Sequence, residues 1–119
     1  GVLLVGIPYA SVVDPVVQAK RRWNTRRAQD AGSMVMSGEE WYLMDAFRAV
    51  NQALGRCIRH ARDFGCLAFL EDRLAGGAYD HLLPQWVQGC IVHGGSDFAQ
   101  ALGHPLRFFR SKGFAVDTP

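Results

Sequence analysis

The stretch that decides the fold is G-V-L-L-V-G-I at residues 1–7, an apolar, β-branched run that Pro8 stops. Continuous apolar runs of this length are typical of strands buried on both faces of a parallel sheet. A second such run, C-L-A-F-L, occupies residues 66–70. We therefore predict two buried parallel strands. Because a sheet averages about five or six strands, we expect the others to lie outside this chain.

A first helix is predicted after the first strand. Asp14 supplies an N-cap, and Pro15 is the residue type favoured at the first helical position. The helix should run from 16 to about 30 and end near Gly32. A loop with the sequence G-S-M-V-M-S-G then covers residues 32–38.

A second and longer helix is predicted from about 39 to 62. Ser37 or Gly38 begins it, acidic residues in its first turn suit the helix dipole, and Gly65 ends it. Gly55 would then stand in the middle of the helix, at a cost of about 1 kcal/mol relative to alanine. A glycine there is explained most simply if another group must approach the backbone closely.

Shorter elements are predicted after the second strand. We expect a short helix at 81–87 that Pro84 starts or interrupts, and a short strand at 90–93. Gly94 and Gly95 would form a turn, after which Ser96 or Asp97 caps a last helix from 98 to about 102, and Pro105 breaks or restarts it. The order strand, helix, helix, strand, helix predicts an α/β fold with a parallel sheet flanked by helices.

Composition excludes several classes of protein. The 119 residues include 49% hydrophobic and 20% charged residues, an ordinary globular balance that argues against a disordered tail or a collagen-like rod. No apolar run approaches the length of a membrane span. The chain begins at Gly1 without an initiator Met, so we expect it to be part of a longer protein.

The cysteines and histidines predict no metal site in this chain. Cys57, Cys66 and Cys90 are odd in number and form no C-x-x-C pair, and the four histidines are scattered without metal-ligand spacing. We interpret the cysteines as buried or half-buried thiols in a reducing compartment.

Helical periodicity places three arginines and a glutamine on one polar stripe of the long helix. The apolar face holds Leu43, Phe47, Val50, Leu54, Cys57, Ile58 and Ala61, and the polar stripe holds Asp45, Arg48, Gln52, Gly55, Arg56, Arg59 and Asp63. Guanidinium groups one turn apart match the oxygens of a phosphate. An ordinary solvated face with Asp45–Arg48 and Arg59–Asp63 pairs fits the same pattern.

The first helix is strongly basic. Trp23 lies among five cations, which are Lys20, Arg21, Arg22, Arg26 and Arg27. Their density suits contact with a DNA backbone. A solvated helix face and a nuclear-import patch remain alternatives.

The string R-A-V-N-Q-A-L-G-R-C-I-R-H at 48–60 resembles motif VI of superfamily-two helicases, Q-x-x-G-R-x-x-R. Its flanks resemble the iron–sulfur DNA helicases of the xeroderma pigmentosum group D class. The matching flanks are G-I-P-Y at 6–9, S-G-E-E-W-Y at 37–42, R-D-F-G at 62–65, L-E-D-R at 70–73 and L-P-Q-W at 83–86. Within that class, S-G-x-E-W-Y is closer to the telomere elongation regulators, and N-Q-A-L-G-R-C-I-R-H to the Fanconi anaemia group J helicases.

The resemblance implies a fold and a set of roles. Residues 1–110 would be the C-terminal, incomplete portion of the second RecA-like motor domain, with motif VI at 52–59 and a tail at 111–119. Gln52, Arg56 and Arg59 would face ATP bound with Mg²⁺ mainly on the first motor domain, and Arg56 and Arg59 would act as catalytic arginine fingers. An iron–sulfur cluster is expected in the full-length protein and not in this chain.

The wider activity implied is that of an ATP-dependent DNA helicase acting 5′ to 3′ in DNA repair or telomere maintenance. Its partners would be single-stranded or forked DNA and the first motor domain, with no membrane, and its location the nucleus. The isolated chain should be inactive because it lacks the phosphate-binding loop. The alternative is a non-catalytic nucleic-acid or phosphate-binding module that uses the basic helix and the arginine stripe.

Overall fold

Two short strands form the sheet of the computed structural model, which describes residues 1–31, 34–94 and 97–115. Strand β1 is Val2–Val5 and strand β2 is Leu67–Leu70. They pair in parallel with Val2 opposite Leu67 and Val5 opposite Leu70. The parallel α/β prediction is therefore confirmed. The predicted turn residue Gly95, the alternative cap Ser96 and part of the 32–38 loop lie outside the described residues.

The prediction that both strands are buried on both faces is wrong. Leu4, Leu67 and Phe69 pack against the core, whereas Leu3 is 62% and Val5 73% exposed. Successive strand residues point to opposite faces, and the described helices cover only one of them. Although β1 is apolar throughout, one of its faces therefore has no helix packed against it within the described residues.

The two long helices begin where the capping signals predict. Helix α1 is Pro15–Ala31, and the Asp14 carboxylate accepts hydrogen bonds from the amides of Val16 and Val17 (2.7 and 3.3 Å). Helix α2 is Gly38–Leu54, with Ser37 as its N-cap. The Ser37 side chain accepts from the Glu40 amide while the Glu40 carboxylate accepts from the Ser37 amide, which completes a capping box.

Helices α1 and α2 pack closely where α2 begins. A Cβ atom at Gly38 would overlap the carbonyl oxygen of Arg21 and the hydroxyl oxygen of Thr25. Only a residue without a side chain lets the two backbones approach so closely.

Helix α2 ends at Leu54, so the prediction that it continues to 62 is wrong. Gly55 is its C-cap in the right-handed helical region (φ −61°), and it is not a mid-helix glycine. The amides of Arg56 and Cys57 then bond to the carbonyls three residues back, at Ala53 and Leu54, which tightens the last turn. A Cβ at Gly55 would meet only the carbonyl oxygens of Asn51 and Gln52, both at 3.6 Å, so no other described residue approaches this glycine closely.

The rest of the chain is built from short helices and one long one. They are α3 (Asp72–Ala75), a 3₁₀ turn (Asp80–Leu82), α4 (Gln85–Gln88) and α5 (Phe98–Ser111). The 81–87 region is thus two pieces separated by Pro84, which is the N-cap of α4. Asp97 caps α5 as predicted, accepting from the amides of Ala99 and Gln100.

Two predictions in this part of the chain are wrong. Residues 90–93 form no strand: Val92 is exposed, and the His93 ring contacts Asp80 (3.0 Å) instead of any strand. Pro105 does not break α5, which runs from Phe98 to Ser111. No residue of α5 is buried, so water can bind the carbonyl that Pro105 leaves without a donor.

A single core lies between the sheet and α2. Phe47, Val50 and Leu54 are its most buried side chains, and all three come from the predicted apolar face of α2. The other buried members are Ile7, Ala46, Leu74, Leu83 and Val87. Within the described ranges, no helix combines the length and apolar character needed to cross a bilayer.

Candidate functional site

The predicted anion-facing residues lie around the C-terminal end of α2. Gln52 is exposed in the last turn, and residues 55–66, here called the arginine loop, connect α2 to β2. Arg56 lies exposed in the first turn of this loop, and Arg59 is exposed three residues later. The structure therefore places all three near one helix end, although Arg56 and Arg59 do not continue a helical stripe. Cations at a helix C-terminus are favoured by the helix dipole.

The side chains of Gln52, Arg56 and Arg59 make no hydrogen bond or ion pair within the described parts of the chain. Of the two alternative pairings, Asp45 does contact Arg48, at 3.6 Å. The second pairing is not an ion pair, because Asp63 accepts from the backbone amide of Arg59 and not from its guanidinium. The guanidinium donors of the arginine loop are thus open to an anion.

Backbone hydrogen bonds shape the arginine loop. The amides of Arg59 and Phe64 each donate to the Asp63 carboxylate at 3.0 Å, and the amide of Asp63 donates to the carbonyl of His60 at 2.9 Å. The hydrogen bond from Arg59 is the main reason that the pKa of Asp63 lies below its usual range. A Cβ at Gly65 would overlap the Cys57 sulfur, so the loop closes tightly there. Sequence reasoning placed Asp63 on the polar stripe and missed this role.

The five cations of α1 differ in their contacts, although Arg21, Arg22 and Arg26 line one depression. Arg21 forms an ion pair with Glu39 and lies over the Tyr42 ring (4.8 Å). Lys20 lies over Trp41 and Arg27 over Trp23, at 5.6 and 4.7 Å from the ring centroids. The other two, Arg22 and Arg26, make no ion pair, hydrogen bond or ring contact among the described residues, and they line an open depression.

A second cluster lies at the opposite end of the strands and was not predicted as a site. Arg73 lies over the Tyr9 ring (5.0 Å), Tyr9 stacks on Tyr42 (5.2 Å between centroids), and Arg21 lies over the Tyr42 ring. We call Arg73, Tyr9, Tyr42 and Arg21 the arginine–tyrosine stack. The charged triplet at 71–73 was the sequence signal for it.

Glu71 anchors this stack to the sheet. Its carboxylate accepts from Nε and Nη2 of Arg73 (2.7 and 2.8 Å) and from the amide of Ile7 (3.2 Å), just after β1. The Arg73 guanidinium lowers the pKa of Glu71 to about 2. Burial raises the pKa of Tyr9 above its usual value. In this cluster the charge of Arg73 is therefore already neutralised by the Glu71 carboxylate.

No group of three or more His, Cys, Asp or Glu side chains converges to hold a metal ion within the described residues. All three cysteines are free. Cys57 and Cys66 are half-buried as predicted, whereas the prediction is wrong for Cys90, which is exposed. Burial raises the pKa of the Cys66 thiol, which keeps it protonated.

Comparison with known proteins gives a consistent assignment. A family model described as "Helicase C-terminal domain" matches residues 1–90. The chain is 36% identical over 116 residues to "Regulator of telomere elongation helicase 1 homolog" of Arabidopsis thaliana, covering 93% of this chain and 11% of that protein. It is 37% identical over 94 residues to "Fanconi anemia group J protein homolog" of Gallus gallus, covering 77% of this chain and 7% of that protein.

A Caenorhabditis elegans "Regulator of telomere elongation helicase 1 homolog" is 34% identical over 118 residues, which is 98% of this chain and 12% of that protein. The chain thus spans about a tenth of the length of these curated relatives. Both groups suggested by the motif VI flanks are represented among them. The parallel strands and the helices that pack on them are consistent with an α/β RecA-like fold. The chain belongs to the helicase C-terminal domain family, as the resemblance to the xeroderma pigmentosum group D class predicted.

Proposed function

We propose that this chain supplies motif VI of an ATP-dependent DNA helicase. In this function Gln52, Arg56 and Arg59 face ATP, and the two arginines act as arginine fingers. The observation that carries the proposal is that both guanidiniums are exposed and make no ion pair, hydrogen bond or ring contact among the described residues, at the two arginine positions of the motif VI pattern. Arginine in such a state offers its planar fork of donors to phosphate oxygens.

The chemical role of the two arginines is electrostatic. They would stabilise the charge that develops on the transferring phosphoryl group, and a finger of this kind contributes about 10³–10⁵ in rate. Because they stand at the end of a helix and not on the nucleotide-binding domain itself, they would reach ATP only when two motor domains close. Closure and hydrolysis would then be coupled, which is how a motor moves along DNA.

The rest of the machinery would lie in other parts of the same protein. Following the family resemblance, we assign the metal and the phosphate-binding loop to the first motor domain, and the iron–sulfur cluster elsewhere in the full-length protein. The uncovered apolar face of β1, at Leu3 and Val5, supports our view that residues 1–110 are one portion of a larger sheet domain. We expect no ATPase activity from the isolated chain.

The proposed setting is a nuclear helicase that moves 5′ to 3′ on single-stranded or forked DNA, in repair or telomere maintenance. Both the telomere and the Fanconi groups are named among its relatives. Of the basic helix, Arg22 and Arg26 are the best candidates for DNA contact because no carboxylate or ring holds them.

The experiment uses Arg56→Ala and Arg59→Ala in the complete gene product, with Arg48→Ala as the control, since Arg48 is exposed on the preceding helix α2 and paired with Asp45. We expect ATP-driven unwinding to be abolished by the first two changes while binding of a fluorescent ATP analogue stays largely intact. Arg48→Ala should unwind normally. Normal unwinding by either loop variant would refute the finger assignment.

The alternative function is a nucleic-acid or phosphate-binding module without turnover, supported by the unpaired Arg22 and Arg26. It is distinguished by DNA-stimulated ATP hydrolysis of the complete gene product. DNA binding without hydrolysis would favour the module.

A further inference from the structure

Asp63 joins the two ends of the segment that carries Arg59. Its Oδ2 atom accepts the amide hydrogen of Arg59, and its Oδ1 atom accepts that of Phe64, both at an N···O distance of 3.0 Å. Its own amide donates to the carbonyl of His60. One carboxylate therefore sets where the backbone of Arg59 lies relative to Phe64. Hydrogen bonds to a charged acceptor are among the stronger ones.

Phe64 in turn is held by the far end of α5. Its ring makes edge contacts with Phe108 and Phe114, at centroid distances of 6.1 and 5.9 Å. Phe109 packs on both of those rings, at 5.3 and 6.0 Å. Lys112 lies 5.6 Å from the centroid of Phe64 and 5.8 Å from that of Phe108. We call Phe64, Phe108, Phe109 and Phe114 the phenylalanine cluster.

This cluster is separate from the core of the domain. No residue of α5 is buried, and none of the buried core residues belongs to the phenylalanine cluster. The beginning of the same helix differs, because Phe98 is 62% and Leu102 45% exposed and neither makes a ring contact with a described residue. Within the described residues, α5 thus makes its ring contacts near its C-terminal end, where Phe108 meets Phe64 of the arginine loop. The helix also lies beyond residue 90, where the family match ends.

We propose that Asp63 is a positioning residue for Arg59, and that α5 is a brace that holds the arginine loop through Phe64. The proposal rests on the proposed function, in which Arg59 reaches the ATP phosphates. A finger must be held in place before domain closure, since a misplacement of about 1 Å can cost about 10²-fold in rate. Neither Asp63 nor α5 would touch ATP; both act by fixing the backbone that carries Arg59.

The test uses four variants of the complete gene product: Asp63→Ala, Asp63→Asn, Phe108→Ala and the control Phe98→Ala. We would measure kcat and KM for ATP, together with hydrogen exchange of the amides at 59–64. Phe108→Ala should raise the exchange rates of this segment and lower kcat by about 10-fold, with KM changed by less than about threefold. Phe98→Ala should change neither, because its ring lies at the other end of α5.

The Asp63 variants test the hydrogen bonds. Asp63→Ala should lower kcat by about 10- to 100-fold, and Asp63→Asn should recover part of this because one acceptor oxygen remains. Equal kcat for Phe108→Ala and the unchanged protein would overturn the brace even if Asp63→Ala fails to fold. If Arg59→Ala itself leaves kcat unchanged, the proposed function fails, while the exchange data still report whether α5 holds the loop.

Discussion

The two ends of β2 carry arginines in opposite states. Before the strand, Arg56 and Arg59 are exposed and no side chain of the described residues holds them. After the strand, Arg73 is bound by Glu71 and covers Tyr9. Arginine carries the same positive charge in both places, so charge alone does not separate a binding residue from a structural one. The difference lies in whether the fold itself has satisfied the guanidinium.

The same distinction divides helix α1. Arg21 is satisfied by Glu39 and Tyr42, whereas Arg22 and Arg26 are not held. A satisfied cation loses part of its attraction for phosphate, because its charge is already neutralised and its donors are occupied. We therefore expect that substituting an arginine affects phosphate binding only where no carboxylate or ring holds that arginine, wherever it stands in the basic run.

The largest effect should come from replacing an arginine at each end of β2 in turn. In the complete gene product, Arg59→Ala should lower kcat about 10³-fold or more, with the thermal midpoint unchanged, because an exposed unpaired side chain stabilises only the transition state. Arg73→Ala should lower the thermal midpoint and leave kcat within about threefold, because it leaves the Glu71 carboxylate without its partner. Steady-state ATPase assays and calorimetry measure both, and a reversed pattern would contradict the comparison.

The next effect concerns the contact that brings Arg21 to Tyr42. Gly38→Ala should destabilise the fold by about 1–3 kcal/mol, because the new methyl group would overlap the Arg21 carbonyl and force α1 away from α2. Denaturant unfolding measures this. Gly89→Ala is the matched control, since no atom lies within 4 Å of its Cβ position and its φ is −72°. Similar losses in both variants would show that helix contact is not the cause.

A smaller effect should appear at acid pH. The pKa of Glu71 is about 2 in the folded state and 4.5 at its ordinary value. The stabilisation from Glu71 is therefore complete above about pH 4.5, and it is lost as the pH falls towards 2. Unfolding midpoints measured across this range should decline less steeply in Glu71→Gln than in the unchanged protein. Identical slopes would mean that the Glu71–Arg73 pair does not contribute.

The smallest effect concerns DNA. Arg22→Ala and Arg26→Ala should each weaken binding of single-stranded DNA and reduce the salt dependence of the affinity by about one unit of slope, as expected for one lost phosphate contact. Arg21→Ala should leave that slope unchanged. Titrations at several salt concentrations test this, and a slope loss for Arg21→Ala equal to the others would contradict the distinction by pairing.

Local signals in the sequence predicted the helix starts well and the helix ends poorly. Asp14, Ser37 and Asp97 all cap helices as expected, because a cap is a hydrogen bond between a side chain and amides two or three residues away. The end of α2 depends on longer-range terms. Apolar periodicity continues through Cys57 and Ile58, yet the chain leaves the helix at Gly55.

The sequence predicted which residues form the candidate site, but it did not predict how they are arranged in space. Motif VI identified Gln52, Arg56 and Arg59, but the single helical stripe was wrong, because α2 ends at Leu54 and Arg56 and Arg59 lie in the loop that follows. Glu71 and Arg73 belong to the L-E-D-R stretch that matches the family, and the link of Arg73 to Tyr9 could not be predicted, since it joins residues more than sixty positions apart.

The sequence by itself determined the two strand segments, the helix caps and the family, because each of these is encoded by residues close together in the chain, and the order of the segments predicted the α/β class. Only the tertiary structure decided which arginines are held and which are open. That outcome depends on carboxylates and rings brought from distant segments, such as Glu39 to Arg21 and Tyr9 to Arg73. A guanidinium has the same charge in every context, and its neighbours in the fold determine whether it can still bind an anion.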